Sequence, residues 1–165
     1  MWDKIYTAVL GISFVLMAGL TFYSYTWLQS VGSPVNVVQN YDYYSNIGWI
    51  FLWISSIILL ILANVILWST KNVWAMWATF LYFALFMLIR ALWLDQSFFN
   101  YQQQNGLTNR AFFLGAFSAI LFCVLAAIIV FFNQFIVKRM RDKMFQPQLA
   151  AESQTQAGID SNENT

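Results

Sequence analysis

The chain has 165 residues, of which 60% are hydrophobic and 9% are charged, with a net charge of +1. A soluble domain usually carries about 25% charged residues. This composition argues against an ordinary water-soluble globule, and it excludes a disordered chain, a collagen-like fibre and a disulfide scaffold. The balanced charge gives no general attraction for nucleic acid, and we expect the lipid bilayer to be the principal partner.

The first apolar segment runs from Ile5 to about Leu28. A secretory signal peptide has an apolar core of about 7–15 residues followed by a small-residue cleavage site. This segment is longer and has no such cleavage pattern. It predicts a first transmembrane helix that is retained.

Four apolar segments have the length of about 20 residues that a spanning helix needs. Their apolar runs do not alternate with polar residues, as the strands of a membrane barrel would. The sequence predicts an all-α fold, an integral membrane four-helix transmembrane bundle over residues 1–145. Its helices are expected at about 5–28, 47–68, 73–94 and 111–137.

The polar connections supply signals for helix starts and turns. Ser30–Asn46 and Asp95–Asn109 are predicted to be the two longer loops on one side of the membrane. The predicted turn is Asn105-Gly106, and the predicted helix caps are Ser45-Asn46, Asn72 and Thr108-Asn109.

The last twenty residues differ abruptly from the rest of the chain. Residues 146–165 are rich in Gln, Ala, Ser and Asn and have almost no large apolar side chain. Such a segment cannot bury enough apolar surface to offset the entropy of ordering. We predict a disordered cytoplasmic C-terminal tail.

The positions of the basic residues predict the orientation. With four spans, one side collects Lys4, Lys71, Lys138, Arg139, Arg141 and Lys143, and the other side has only Arg110 in a loop. We expect both termini to be cytoplasmic. Short loops, a single cysteine and the lack of Asn-x-Ser/Thr sites favour a bacterial inner membrane.

Residue types that carry catalysis or bind metals and cofactors are scarce. The chain has no histidine and one cysteine, so the commonest metal ligand, haem ligand and general base are missing. No paired carboxylates, phosphate-binding glycine loop or nucleophile elbow is present. We therefore predict no enzyme, no catalytic or metal-binding residues and no cofactor.

Arg90 is the most unusual residue, because a charge within a membrane span is a functional hypothesis by default. It could snorkel to the headgroups with Asp95 as a loose partner. It could instead pair with Asp42 from the preceding loop, or hold an anionic ligand or lipid. Snorkelling and structural pairing are together favoured over ligand binding.

Other polar residues in the predicted spans include Asn64, Ser55, Ser56, Asn133 and Gln134. Interhelical hydrogen bonds are their favoured role. In the alternative, Arg90, Asn64 and the two serines line a polar site. Tyr41, Tyr43 and Tyr44, with Asp42, suit the outer membrane interface.

The fourth helix carries small residues at every fourth position, namely Ala111, Gly115, Ala119, Cys123 and Ala127. Small residues allow close helix packing in lipid, and internal packing is favoured over a docking face. A basic cluster follows at Lys138, Arg139, Arg141 and Lys143. Such clusters attract anionic lipids by about 1 kcal/mol per charge, and anchoring and topology explain this one.

Two functions are compatible with these features. The favoured hypothesis is a non-catalytic structural or accessory subunit that stabilises a larger membrane complex, with other membrane subunits or further copies of itself as partners. The alternative is a small oligomeric transporter, channel or lipid-binding membrane protein. Convergence of Arg90, Asn64, Ser55 and Ser56 on one cavity would favour the alternative, and scatter would favour the first.

Overall fold

The computed structural model describes the backbone of residues 1–107 and 115–162 and the side chains of residues 1–107 and 117–144. Every regular element in these ranges is helical. The elements are α1 (Trp2–Leu28), α2 (Pro34–Thr70), α3 (Trp74–Ile89), a π-helical turn (Arg90–Leu94), α4 (Asp95–Gln104) and α5 (Gly115–Asn162). Four segments are long and apolar enough to cross a membrane, as a membrane-spanning protein requires, and α3, the π-turn and α4 together form one of them. The predicted all-α architecture is confirmed for the described residues.

The second helix begins thirteen residues earlier than predicted. Ser33 is its N-cap, with the side-chain oxygen accepting a hydrogen bond from the Asn36 backbone N–H at 3.4 Å, and Pro34 follows at the first helical position. The predicted loop Ser30–Asn46 and the predicted cap at Ser45-Asn46 are therefore wrong. The Ser-Pro pair is the stronger start signal, because proline has no N–H to satisfy at that position.

The predicted loop Asp95–Asn109 is also helical over most of its length. α4 occupies Asp95–Gln104, and the turn follows at Asn105 and Gly106, where it was predicted. Gly106 has a φ of 65°, a conformation that costs glycine little. The predicted cap at Thr108-Asn109 lies outside the described residues.

The α2–α3 connection is a tight hairpin. Lys71 ends α2 in the left-handed conformation with a φ of 61°, and its backbone N–H donates to the Leu67 carbonyl at 3.2 Å. The side chain of Asn72 accepts a hydrogen bond from the Trp74 backbone N–H at 3.1 Å. The N-cap position of α3 is Val73, one residue after the predicted cap, while the Asn72 side chain still binds a backbone N–H of the first turn.

The α2–α3 hairpin lies at the centre of the packing. α1 packs mainly on α2, and α5 packs on α3 and α2, whereas α1 and α5 have little contact with each other in the described part of the chain. The buried core includes Met17 of α1, Leu52 and Leu59 of α2, Phe86 of α3 and Val130 of α5. Here the end with the α1–α2 connection is called the Arg90 end, and the end with the hairpin is called the Arg141 end.

The last helix differs from its predicted bounds. The predicted start at residue 111 lies outside the described residues, and the described backbone begins at Gly115. α5 then continues to Asn162, so the predicted tail carries helical backbone, although its side chains lie outside the described part. The disorder of residues 146–165 stays a prediction.

Candidate functional site

The π-helical turn begins at Arg90 and interrupts the third span. Single π-turns within α-helices are rare and frequently accompany functional sites. Arg90 is the first residue of this turn, and its side chain has no solvent exposure. The snorkelling interpretation of Arg90 is therefore wrong, because the guanidinium ends inside the helix packing rather than at its surface.

The guanidinium of Arg90 contacts α2. Its Nη2 donates to the Ser45 carbonyl oxygen at 2.7 Å and to the Ser45 hydroxyl at 2.8 Å. Its Cζ lies 4.6 Å from the ring centroid of Trp49, which is cation–π distance. Nε and Nη1 are buried and have no hydrogen-bond partner among the described residues.

Gly48 makes room for this guanidinium. A Cβ added at Gly48 would collide with Nη1 of Arg90 and would lie 3.1 Å from its Cζ. Ser45, Gly48 and Trp49 are three and four residues apart, so they lie on one face of α2. The sequence analysis missed this face because it placed Ser45 in a loop.

A second polar contact lies beside Arg90. The Tyr41 hydroxyl donates to Oδ1 of Asp95 at 3.2 Å. The Tyr41 ring, which is 2% exposed, stacks on Phe98 of α4 with the centroids 4.1 Å apart. Tyr41 therefore belongs to the buried core, whereas Tyr43 is exposed as an interface residue would be.

Asp95 lies beside the site, and Asp42 is close enough to act on Asp95 electrostatically. The hydrogen bonds of Arg90 go to Ser45, and Asp95 forms no salt bridge with it in the described part of the chain. Asp42 makes interactions of its own. Asn64 belongs to another depth of the bundle, since its Oδ1 accepts from the Asn133 side chain of α5 at 2.9 Å.

Two tyrosine hydroxyls form further polar contacts between the helices. The Ser55 and Tyr82 hydroxyls are 2.9 Å apart, and the Tyr82 hydroxyl also lies 3.5 Å from the Ser13 carbonyl oxygen, linking α1, α2 and α3. The Tyr6 hydroxyl donates to the Ala75 carbonyl at 2.7 Å nearer the Arg141 end. These groups, Arg90 and Asn64 do not converge on one cavity.

Two polar atoms predicted to bridge helices have no partner. The Ser56 hydroxyl and Oε1 of Gln134 are buried and lack a hydrogen bond within the described residues. Ser56 lies at an apolar groove of about 180 Å³ between α2, α3 and α5, which Phe80 and Val130 also line.

The small residues of α5 differ in their surroundings. Ala119 is buried, Cys123 is half-buried against the core, and Ala127 is half-buried. Ala111 lies outside the described residues, as does the side-chain environment of Gly115. The residues of α5 that pack on the core do not keep a strict four-residue spacing, because a helix has 3.6 residues per turn. After Cys123, the core-packed residues of α5 include Ala126 and Val130.

The four residues of the basic cluster at the Arg141 end differ in their solvent exposure. Arg141 is 6% exposed, and its Nη1 donates to the Leu67 carbonyl at 3.2 Å, while its Nη2 contacts Asp142 at 3.2 Å. This arginine satisfies a carbonyl at the end of α2. Lys138, Arg139 and Lys143 are exposed and can interact with lipid headgroups.

A cavity of about 220 Å³ lies beside the Arg90 site, between α2, the third span and α5. Asp95 is the one charged residue among those that line it in the described part of the chain. Its other lining residues are Trp49, Trp53, Met87, Ala91, Ser118, Ala119 and Phe122.

No group of His, Cys, Asp and Glu among the described residues is arranged to hold a metal ion. A scan against protein-family models and searches of curated proteins and of solved structures found no match. The site must therefore be interpreted from its own geometry.

Proposed function

We propose that this protein is a non-catalytic membrane component that stabilises a larger complex. The observation that carries the proposal is the outward face of α1. The buried side of α1 carries Tyr6, Ser13, Met17, Thr21 and Ser24. The opposite, exposed side carries the small residues Ala8, Gly11, Ala18 and Gly19, together with the bulky residues Val15 and Phe22.

This small-residue face of α1 is open space in the single chain. A Cβ added at Gly11 or Gly19 would meet no atom within 4 Å. In lipid, helices associate through van der Waals packing at small residues, which let two backbones approach closely. The face therefore suits a transmembrane helix of another subunit or of a second copy.

The exposed face of α5 differs, because no glycine, alanine or serine within residues 117–144 is exposed. Its side chains are bulky, among them Phe117, Ile129 and Phe135, with exposures between 56% and 72%. Bulky apolar side chains suit contact with lipid chains, whereas its small residues are turned towards the core. The separation of the polar groups also supports assembly over transport, because a polar pathway needs them on one facing surface.

The test uses Gly11→Leu with Gly19→Leu in the affinity-tagged full-length protein, purified from its host in mild detergent. Wild type is expected to carry a stoichiometric partner or a second copy in native mass spectrometry, and the double variant is expected to lose it. Both positions face open space, so the substitutions should not disturb the fold of the chain itself. The double variant should therefore melt at the same temperature as wild-type protein from which the partner has been removed.

The matched control is Val124→Phe, which adds bulk to an exposed position of α5 and should retain the partner. A wild-type protein that is a lone monomer, also after crosslinking in the intact membrane, would overturn the proposal. Retention of the partner by the double variant would do the same.

The proposed location follows from the charges. The hairpin and the exposed Lys138, Arg139 and Lys143 lie at one end, and the positive-inside rule therefore supports a cytoplasmic Arg141 end with both termini. A bacterial inner membrane remains the proposed membrane.

A further inference from the structure

The cavity beside the Arg90 site has one acidic end and an aromatic body. Asp95 lines it at the start of α4, while Met87 lies about two helical turns away along the third span. Trp53 and Phe122 contribute from α2 and α5. The cavity thus runs from a carboxyl group into an apolar region, which is the polarity of an amphiphilic molecule.

Asp95 is available to a cation from the cavity. Its Oδ1 accepts the hydrogen bond of Tyr41, and it forms no ion pair within the described residues. Arg90 is held by Ser45 and by the ring of Trp49. It acts on Asp95 electrostatically but forms no salt bridge with it in the described part of the chain. A half-buried carboxylate is stabilised by a positive charge that approaches within a few ångström.

The walls add a second attraction for a cation. Trp53 and Phe122 meet edge to face with their ring centroids 5.7 Å apart, and Trp49 completes the aromatic lining. The faces of such rings attract ammonium groups, and quaternary ammonium ions are the typical ligands of sites with several aromatic walls. The polarizable thioether of Met87 packs well against an apolar group of varied shape.

We propose that this cavity binds an amphiphilic organic ammonium ion. The nitrogen lies near the Asp95 carboxylate at the edge of the aromatic lining, and the apolar part lies against Trp53 and Phe122. The ammonium group belongs either to a free organic cation or to the headgroup of a phospholipid. This site is independent of the α1 face and goes beyond the proposed assembly function.

Benzyltrimethylammonium is the probe, titrated calorimetrically into the full-length protein in dodecyl maltoside, whose headgroup carries no charge. Wild type is expected to bind it saturably. Asp95→Asn should weaken binding by about tenfold, because it removes the charge and retains the shape. Asp142→Asn, an exposed carboxyl at the Arg141 end, should bind as wild type does.

A second pair of variants tests the aromatic wall. Phe122→Ala should weaken binding several-fold, whereas Phe132→Ala, an exposed phenylalanine of α5 outside the cavity lining, should not. This pair decides the question if Asp95→Asn does not fold. Absence of saturable binding to wild type, unchanged affinity of folded Asp95→Asn, or equal affinities of the two phenylalanine variants would overturn the proposal.

Competition identifies the source of the ammonium group. Added phosphatidylcholine that displaces the probe, while phosphatidylglycerol does not, assigns the cavity to a lipid headgroup. Saturable binding that neither lipid displaces assigns it to a free organic cation.

Discussion

At the residue scale, the contact between Gly48 and Arg90 shows how a charge is accommodated within the helix packing. An arginine side chain is large, and a guanidinium needs hydrogen-bond acceptors as well as space. Ser45 supplies acceptors, Trp49 supplies a ring face, and Gly48 supplies the space. The missing side chain at residue 48 is therefore as necessary as the polar partners.

Gly48→Ala should lower the melting temperature in detergent, since the added Cβ would collide with Nη1 of Arg90. Overpacking of a buried site costs typically about 1–3 kcal/mol, which exceeds the roughly 1 kcal/mol that alanine gains over glycine in a helix. Gly11→Ala is the control, because its Cβ meets no atom within 4 Å, and it should not destabilise.

A double-variant cycle separates this collision from other effects. In an Arg90→Leu background the guanidinium is gone, so Gly48→Ala should lose most of its cost. Equal melting temperatures for Gly48→Ala and Gly11→Ala in the otherwise wild-type chain would contradict the packing described at Arg90.

At the element scale, each helix of the bundle is attached to a neighbour by polar groups at a defined depth. Asn64 and Asn133 join α2 and α5, and Tyr82 joins α3 to α1 and α2 through Ser13 and Ser55. Interhelical hydrogen bonds in membranes contribute on average about 0.6 kcal/mol. Their main consequence is the register of the helices, since apolar packing alone permits sliding.

The end of α5 provides a prediction at this scale. Deletion of residues 146–165 should leave the yield and melting temperature unchanged, because that segment has almost no large apolar side chain to bury. Deletion from Arg141 onward should lower the melting temperature, because it also removes the hydrogen bond to the Leu67 carbonyl. Loss of stability on deleting residues 146–165 alone would show that this segment contributes to the fold.

At the scale of the whole molecule, the two outer helices present different surfaces. α1 exposes glycines and alanines among its bulky residues, whereas the exposed residues of α5 within 117–144 include neither glycine nor alanine. Both surfaces are apolar, so hydropathy does not distinguish them, and the room for close helix packing does. This difference is the reason that the proposed partner is placed on α1 rather than on α5.

The orientation gives a prediction for the intact membrane. In a Cys123→Ser background, a membrane-impermeant maleimide should label Val31→Cys on intact cells, because Val31 is fully exposed in the α1–α2 connection. Lys143→Cys should react only after permeabilisation. The Cys123→Ser parent should remain unlabelled in both conditions, and the reverse labelling pattern would invert the proposed topology.

The sequence by itself determined the helical class and the number of apolar spans, because the length of an apolar run and its lack of alternation are local properties. It also determined the turn at Asn105-Gly106, which depends on adjacent residues. The polar stretches that form the beginning of α2 and the whole of α4 are predicted as loops from the sequence, because their helical state also depends on packing, as Tyr41 against Phe98 shows.

Only the tertiary structure decided the partners of Arg90. Residues 45, 48 and 49 lie some forty positions away in the chain, and nothing local pairs a serine and a glycine with a distant arginine. The helix packing also decided which small residues are buried, since Ala119 faces the core and Gly11 faces outward. Composition specifies that close contacts can form, whereas the rotation of each helix about its axis specifies where they form.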